Sequence, residues 1–146
     1  MKNGLSAMKL DKFLINLRID VIERNLKEIE LIISEGEENF LKNNRTILAG
    51  KHALLESIEA CIDISNHIIA SMGLRRPEDY KDVFAILQEN NIIAKPLSEK
   101  LQDMAGFRNL LVHFYAKVDN KKVFSIMRKD TKDISEFVKK ILKYIA

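Results

Sequence analysis

Apolar residues recur at intervals of three and four along almost the whole chain, and this spacing limits the possible folds more than any other feature. Such intervals mark one face of an α-helix, whereas a half-buried strand needs strict alternation. The sequence contains no alternating segment, hairpin turn or internal repeat, and only five glycines and two prolines interrupt its 146 residues. It therefore predicts an all-α fold, an antiparallel bundle of four to five helices connected by short loops.

The first two predicted helices are the longest. The first ends near Gly36, which lies between two glutamates. The second spans about residues 44–72, with Asn44 as its N-cap and Gly73 just beyond its end. The core face of the first helix consists of Leu10, Leu14, Leu17, Val21, Ile29 and Ile32, and that of the second of Ile47, Leu48, Leu54, Leu55, Ile58, Ile62 and Ile69.

Three further helical stretches are predicted in the second half. Pro77 lies in the first turn of a third helix that ends near residue 88. Ser98 is the N-cap of a fourth helix, which reaches His113 or a little beyond. A fifth stretch, in one piece or two, follows Asp119. The apolar positions of the third helix are Tyr80, Phe84 and Leu87, and those of the fourth are Leu101, Met104, Phe107, Leu110 and Leu111. No linker interrupts this pattern, so we expect one domain, residues 1–146.

The composition indicates a globular protein rather than a disordered or membrane protein. Hydrophobic residues make up 47% of the chain and charged residues 31%, which is enough apolar material for a core. The longest apolar run is five residues, Val83 to Leu87, and the N-terminus lacks the apolar region of a signal peptide. The single cysteine, Cys61, excludes an internal disulfide. We therefore expect a cytoplasmic protein with no membrane contact.

The charge is unevenly distributed between the two halves. Residues 1–73 carry 9 basic and 11 acidic side chains, whereas residues 74–146 carry 15 basic and 10 acidic ones, a net charge of +5. A basic half suits an acidic partner such as nucleic acid. A solvated lysine-rich surface explains so mild a bias at least as well.

One short segment combines the side chains that acid–base and phosphate chemistry needs. Residues 107–115 read Phe-Arg-Asn-Leu-Leu-Val-His-Phe-Tyr. A histidine exchanges a proton near neutral pH, and an arginine can hold two phosphate oxygens at once. On an ideal helix Arg108 and His113 diverge by about 140°. They meet only if the arginine swings round, if the helix ends before His113, or if a second subunit completes the site.

This segment resembles the R-x4-H-x-Y motif of the HepT proteins, a family of the HEPN class. Arg108, His113 and Tyr115 occupy the three fixed positions, and Asn109 is the polar residue that typically follows the arginine. Residues 63–69, 77–87 and 104–115 are similar to family segments in order and spacing, and the likeness covers roughly residues 10–145. Without the resemblance, an arginine and a histidine near a helix end are more often a cap, a salt bridge or a packed pair.

The resemblance implies a toxin of a toxin–antitoxin pair that acts as a metal-independent endoribonuclease. Arg108 and His113 would be catalytic, with Asn109 in support. RNA would be the substrate, and the protein would be a homodimer whose active-site cleft lies at the subunit interface. A minimal nucleotidyltransferase antitoxin would attach AMP to Tyr115. We expect no cofactor and no metal, since the sequence has no phosphate-binding loop, zinc-ligand cluster or group of carboxylates near the motif.

Metal-free cleavage uses the 2′-hydroxyl of RNA as the nucleophile, so DNA should resist. A second hypothesis is a non-catalytic helical partner, or a substrate-binding module, of a nucleotidyltransferase. A DNA-binding protein would rest on the positive charge alone. His67 and Asn66 lie in a family-like segment and could be buried hydrogen-bonding residues or line the cleft, so they stay outside the expected catalytic set. His52 is expected at the surface or at its boundary.

Overall fold

Seven α-helices are formed by the part of the chain that the computed structural model describes, residues 9–114 and 117–146. In chain order they are α1 (Lys12–Ser34), α2 (Glu37–Lys42), α3 (Asn44–Ser71), α4 (Asp82–Glu89), α5 (Lys95–His113), α6 (Asn120–Lys129) and α7 (Thr131–Ile145). The predicted all-α fold is confirmed. The two additional helices arise because α2 was not predicted and because the fifth stretch is divided between α6 and α7.

Helices α1 and α3 form the longest contact of the bundle and run antiparallel. The backbone N–H of Asp11, before α1, donates to Nε2 of His67 near the end of α3 at 3.0 Å. Further along α1, the side-chain amide of Asn25 donates to Glu56 at 2.8 Å. Rising residue numbers in α1 therefore meet falling numbers in α3, as in the predicted bundle.

The buried face of α1 differs from the predicted one. Ile15, Ile19 and Ile22 are at most 3% exposed, together with the correctly predicted Ile29 and Ile32. The predicted stripe of Leu10, Leu14, Leu17 and Val21 lies beside a second apolar stripe that contains Ile15, Ile19 and Ile22. Packing against α3 selected the isoleucine stripe, so the prediction was wrong for Leu17, which is exposed. Leu48 and Leu110, predicted in the core faces of their helices, are exposed as well.

A glycine with positive φ follows the end of α1 and of α3. Gly36 has a φ of +90° and separates α1 from α2, as its sequence context predicted. After α3, Gly73 has a φ of +62°, its N–H donates to Ala70 O, and the N–H of Leu74 donates to Ile69 O. These bonds form a Schellman motif and confirm the predicted end of the helix. The predicted N-cap was one residue late, since the Asn43 side chain accepts from Thr46 N–H.

The third predicted helix starts later than expected. Pro77 does not lie in a first turn, because α4 begins only at Asp82. The carboxylate of Asp82 accepts two hydrogen bonds from Arg75 at 2.7 and 2.8 Å, and another from the backbone N–H of Glu78. These bonds hold the chain between α3 and α4 in an irregular path. Tyr80, predicted on the helix, lies in this irregular segment.

The fourth predicted helix starts earlier than expected. Helix α5 begins at Lys95 with Pro96 in its first turn, a position that tolerates proline because its missing N–H would have no helical partner. Ser98 is therefore not the N-cap. It lies within the first turns of α5, its side chain is fully buried, and its hydroxyl donates to Phe84 O at 3.1 Å. This bond attaches α5 to α4.

The buried apolar side chains of all seven helices form one continuous core. Gly50 in α3 lies close against two other helices, since a Cβ there would lie 3.0 Å from Cε1 of Phe40 in α2 and 3.1 Å from Sδ of Met127 in α6. Three helices thus meet at a position where a Cβ would force the neighbouring side chains to shift. Within residues 9–114 and 117–146, no helix is long and apolar enough to cross a bilayer.

Candidate functional site

Helix α5 carries the three motif residues whose positions the structure describes. Arg108 and Asn109 lie in its last two turns, and His113 is its final residue, followed by Phe114 as the C-cap. The helix therefore continues to the histidine, which excludes the possibility that it ends before His113. Tyr115, the expected adenylation site, lies outside the described residues.

Arg108 occupies a socket made by three parts of the fold, and its side chain is only 14% exposed. Its Nε and Nη2 donate to the same oxygen, Oε2 of Glu59 in α3, at 3.2 and 2.8 Å. Its Nη1 donates to Oδ1 of Asn109 at 3.2 Å. The Tyr80 ring covers one face of the guanidinium, with Cζ 4.4 Å from the ring centre. The hydrogen bonds set the direction of the guanidinium, and the Tyr80 ring sets the orientation of its plane.

His113 is exposed and is not bonded to either neighbour in the motif. Asn109 shares a helix face with His113, yet its oxygen accepts from Arg108. Within the described residues, no hydrogen bond joins His113 to Arg108 or Asn109. The chain therefore brings Arg108 and Asn109 together but leaves the histidine at the helix end. Two of the three ways in which Arg108 and His113 could converge are therefore not seen, because the helix reaches the histidine and the arginine side chain is directed to Glu59. Completion of the site by a second subunit stays a prediction.

A groove of about 550 Å³ lies on another side of α5, between α5, α6 and the start of α7. Gly106 and Leu110 are among its lining residues, whereas Arg108 is not. On an ideal helix His113 shares its face with Gly106 and Leu110, seven and three positions earlier. The two predicted catalytic groups therefore lie on different faces of α5.

Helix α3 carries a second carboxylate near Glu59 that pairs with a different arginine. Asp63 lies one helical turn after Glu59 and pairs with Arg18 at 3.5 Å. Burial raises the pKa of Asp63 above its ordinary value, the Arg18 charge lowers it, and the negative charge of Glu59 raises it further. The carboxylate of Glu59 thus influences groups beyond Arg108.

Exposed basic side chains of the second half supply positive charge at the surface. In the described residues that follow the motif they are Lys117, Lys121, Lys122, Arg128, Lys129, Lys132, Lys139, Lys140 and Lys143. Their exposure is compatible with both interpretations of the charge bias, an RNA-binding face and a solvated surface.

The other histidines have structural or surface positions. His67 accepts from the backbone N–H of Asp11 and lies 3.4 Å from the Ser71 hydroxyl, so it fastens the start of α1 to α3. Asn66 is exposed. His52 is exposed and 3.8 Å from Glu56, which confirms its predicted surface position.

Sequence reasoning missed Glu59 and Tyr80, which contact Arg108 from outside the motif. Glu59 had a signal that could have been noticed, because it is a lone carboxylate between Ser57-Ile58 and Ala60-Cys61-Ile62. Tyr80 was assigned as a packing residue of a helix that begins after it. Nothing local in the sequence connects either residue to α5.

Comparisons with known proteins identify the family of this chain. The model of the ribonuclease HepT-like family matches residues 22–141. The mRNA nuclease HepT of Shewanella oneidensis is 33% identical over 124 residues, which cover 83% of this chain and 90% of that protein. The tRNA nuclease HepT of Aphanizomenon flos-aquae is 23% identical over 136 residues, which cover 93% of this chain and 92% of that protein.

Solved structures give the same result. The tri-AMPylated HEPN toxin of Shewanella oneidensis in complex with an MNT antitoxin superposes with a TM-score of 0.82 at 32% identity, covering 89% of this chain and 97% of that chain. The cytosolic protein YutE of Bacillus subtilis shares the fold, with a TM-score of 0.83 at 21% identity over 94% of this chain and 92% of that chain. The expected HEPN-like fold and the expected ribonuclease of a toxin–antitoxin system are confirmed at the level of the family, and the roles of single residues stay predictions. The chain belongs to the HepT-like ribonuclease family.

Proposed function

We propose that this chain is the toxin of a toxin–antitoxin pair and cleaves RNA without a metal ion, with Arg108 holding the scissile phosphate and His113 transferring a proton. The observation that carries the proposal is the socket of Arg108. A guanidinium has five N–H donors, and three of them are bonded to Glu59 and Asn109. Within residues 9–114 and 117–146, one N–H on Nη1 and one on Nη2 have no hydrogen-bond partner and are left for phosphate oxygens.

The reaction follows from the chemistry of RNA itself. The 2′-oxygen attacks the adjacent phosphorus and loses its proton to a base. The bond from phosphorus to the 5′-oxygen breaks, and that oxygen takes up a proton, leaving a 2′,3′-cyclic phosphate and a 5′-hydroxyl. His113 acts in one of these proton transfers, since an imidazole can either accept or donate a proton. The guanidinium of Arg108 stabilises the charge that builds on the phosphate oxygens.

We further propose that the site is completed in a homodimer, with the cleft between two copies of α5. Exposed apolar side chains near His113 support such a contact, since Leu110, Val112 and Phe114 are 47, 43 and 56% exposed. Leu110 and Phe114, four positions apart, share one face of the helix end, and exposed apolar area there favours association. In such a dimer the arginine of one copy can meet the histidine of the other, which removes the difficulty of their divergent directions on α5.

The proposed partner is a nucleotidyltransferase antitoxin that adenylates Tyr115. The support comes from the Shewanella oneidensis toxin, which was solved tri-AMPylated and in complex with an MNT antitoxin. Adenylate two residues after His113 would place negative charge and bulk where RNA phosphate has to bind. Modification would then block the nuclease.

The direct test compares Arg108→Ala and His113→Ala with the unchanged chain on single-stranded RNA in EDTA. We expect each substitution to reduce cleavage at least about 100-fold, with products ending in cyclic phosphate and with DNA uncut. Arg76→Ala and His52→Ala are matched controls, because both residues are exposed side chains outside the motif. Cleavage that survives both motif substitutions, or that requires a divalent metal, would reject the mechanism.

A mixing experiment tests the shared cleft. A dimer formed from one Arg108→Ala copy and one His113→Ala copy retains one intact site if arginine and histidine come from different chains, and none if they come from the same chain. We expect the mixture to regain part of the activity that each variant lacks. No recovery after subunit exchange would place both groups in one chain.

The alternative, a non-catalytic module of a nucleotidyltransferase, predicts a different pair of results. An antitoxin that adenylates the chain but not Tyr115→Phe, combined with no nuclease activity in the unmodified chain, would support the alternative. Adenylation that removes a measurable nuclease activity would support the toxin.

A further inference from the structure

The socket of Arg108 contains a carboxylate that a simple phosphate-binding site would avoid. Glu59 neutralises much of the guanidinium charge, which weakens the attraction of RNA to this point. The Glu59 carboxylate, 41% exposed, and the Arg108 side chain, 14% exposed, come from helices that meet only in the folded chain.

The bonds to Glu59 select which edge of the guanidinium is left for a ligand. Nε and Nη2 both donate to Oε2 of Glu59, so the Nε–Nη2 edge is occupied. The remaining N–H of Nη2 lies on the outer edge, beside Nη1. Tyr80 covers one face and restricts rotation out of the plane. An arginine that is already ordered loses less rotamer entropy when a phosphate binds, and it meets the phosphate in one orientation.

We infer that Glu59 is a positioning residue of the proposed ribonuclease reaction, assisted by the ring of Tyr80, and that it acts through Arg108 by presenting the outer edge of the guanidinium to the scissile phosphate. This inference rests on the proposed function. Glu59 itself touches no substrate in this arrangement. Its role is to increase the rate after RNA has bound, at the expense of some electrostatic attraction before binding.

The experiment separates kcat from KM for RNA cleavage in Glu59→Ala and Glu59→Gln. We expect Glu59→Ala to lower kcat about tenfold or more, because the freed guanidinium no longer meets the phosphate in one orientation. KM should stay equal or fall, since a negative charge has been removed. Glu59→Gln keeps an oxygen that accepts from Nε and Nη2, and should retain most of kcat. A variant that is only less stable would not lower kcat while KM stays equal or falls.

Asp63→Ala is the matched control. It lies one turn along the same helix, makes the same change of charge and pairs with Arg18 rather than Arg108. We expect its kcat to equal that of the unchanged chain. A kcat that is unchanged or raised in Glu59→Ala would overturn the inference, because Glu59 would then be a bystander or a competitor of the RNA phosphate.

A second measurement does not depend on nuclease activity. In ¹⁵N-labelled protein, the Nη signals of Arg108 should be separate in the unchanged chain and in Glu59→Gln, and averaged by rotation in Glu59→Ala. Averaged signals in the unchanged chain would overturn the positioning role. If the unchanged chain does not cleave RNA, the proposed function fails, and this measurement still decides whether Glu59 holds the guanidinium.

Discussion

The guanidinium carbon of Arg108 lies 4.4 Å from the centre of the Tyr80 ring. The irregular segment between α3 and α4, which carries Tyr80, therefore contacts the arginine of α5. That segment is fixed in turn by Arg75, which forms hydrogen bonds to both Asp82 and Glu89. The geometry of the candidate site therefore extends to residues that the motif does not contain.

Arg75→Ala should lower nuclease activity although Arg75 is not placed to contact RNA, because Tyr80 loses its fixed position. The loss in free energy of unfolding caused by Arg75→Ala should also depend on pH. Hydrogen bonds from Arg75 are the largest cause that lowers the pKa of Asp82 and of Glu89 below their ordinary 3.8 and 4.5. Carboxylates with a lowered folded-state pKa stabilise the fold above the ordinary value, and this contribution is lost as the pH falls through the lowered pKa.

The free energy of unfolding of Arg75→Ala and of the unchanged chain should therefore differ more at about pH 7 than at about pH 3, as measured by urea denaturation. Arg76→Ala is the control, since Arg76 is an exposed neighbour, and it should show no such pH dependence. A difference that stays constant between the two pH values would contradict the role assigned to the Arg75 ion pairs.

Arg108→Lys should behave much like a deletion of the side chain, although it keeps the positive charge. A lysine cannot donate in a planar fork to Glu59 and Asn109 while it faces a phosphate. We expect kcat/KM to fall about 100-fold, with little change in the affinity for a non-cleavable 2′-O-methyl oligoribonucleotide. Arg18→Lys, at an arginine outside the motif, should leave kcat/KM unaffected. Full activity of Arg108→Lys would show that charge alone is needed.

Gly50→Ala should destabilise the protein although alanine favours helices by about 1 kcal/mol over glycine. The added Cβ would lie 3.0 Å from Phe40 and 3.1 Å from Met127, two side chains that are fully buried. Overpacking of this kind costs about 1–3 kcal/mol, which we expect to exceed the gain in propensity.

Urea denaturation would measure that balance, with Ala49→Gly at the neighbouring exposed position of the same helix as a measure of propensity alone. Stabilisation by Gly50→Ala would show that Phe40 and Met127 can move aside without cost.

Cys61 should be unreactive toward thiol reagents in the folded protein. Its side chain is 1% exposed, and burial raises the pKa of the Cys61 thiol far above its ordinary value. The reactive thiolate is therefore scarce. Release of chromophore from a disulfide reagent should occur at the rate of unfolding, whereas an Ala70→Cys variant, at an exposed position of α3, should react at once. Rapid reaction of Cys61 itself would contradict its place in the core.

The helical content and several helix ends could be predicted from the sequence because their causes are local. A three- and four-residue spacing of apolar side chains specifies helices directly. Gly36 and Gly73 adopt positive φ, which glycine tolerates in any context. The motif on α5 was visible for a related reason, since Arg108, Asn109, His113 and Tyr115 are close in sequence.

The helix starts and the choice of buried face were decided by tertiary contacts. Pro77 and Ser98 are both suitable for a helix start, yet α4 begins only at Asp82, whose carboxylate pairs with Arg75, and Ser98 is buried against Phe84 O. The two apolar stripes of α1 could not be distinguished until α3 covered one of them.

The amino-acid sequence by itself determined that this chain forms helices and carries the arginine, asparagine, histidine and tyrosine of its motif in α5 and just beyond it. Only the tertiary structure decided what surrounds that arginine. Glu59 is 49 positions away in the chain, and Tyr80 lies in a segment without regular structure, so no local periodicity connects either residue to Arg108. Their contacts exist because α3, α4 and α5 bury a common core, and packing of that core is a property of the whole chain.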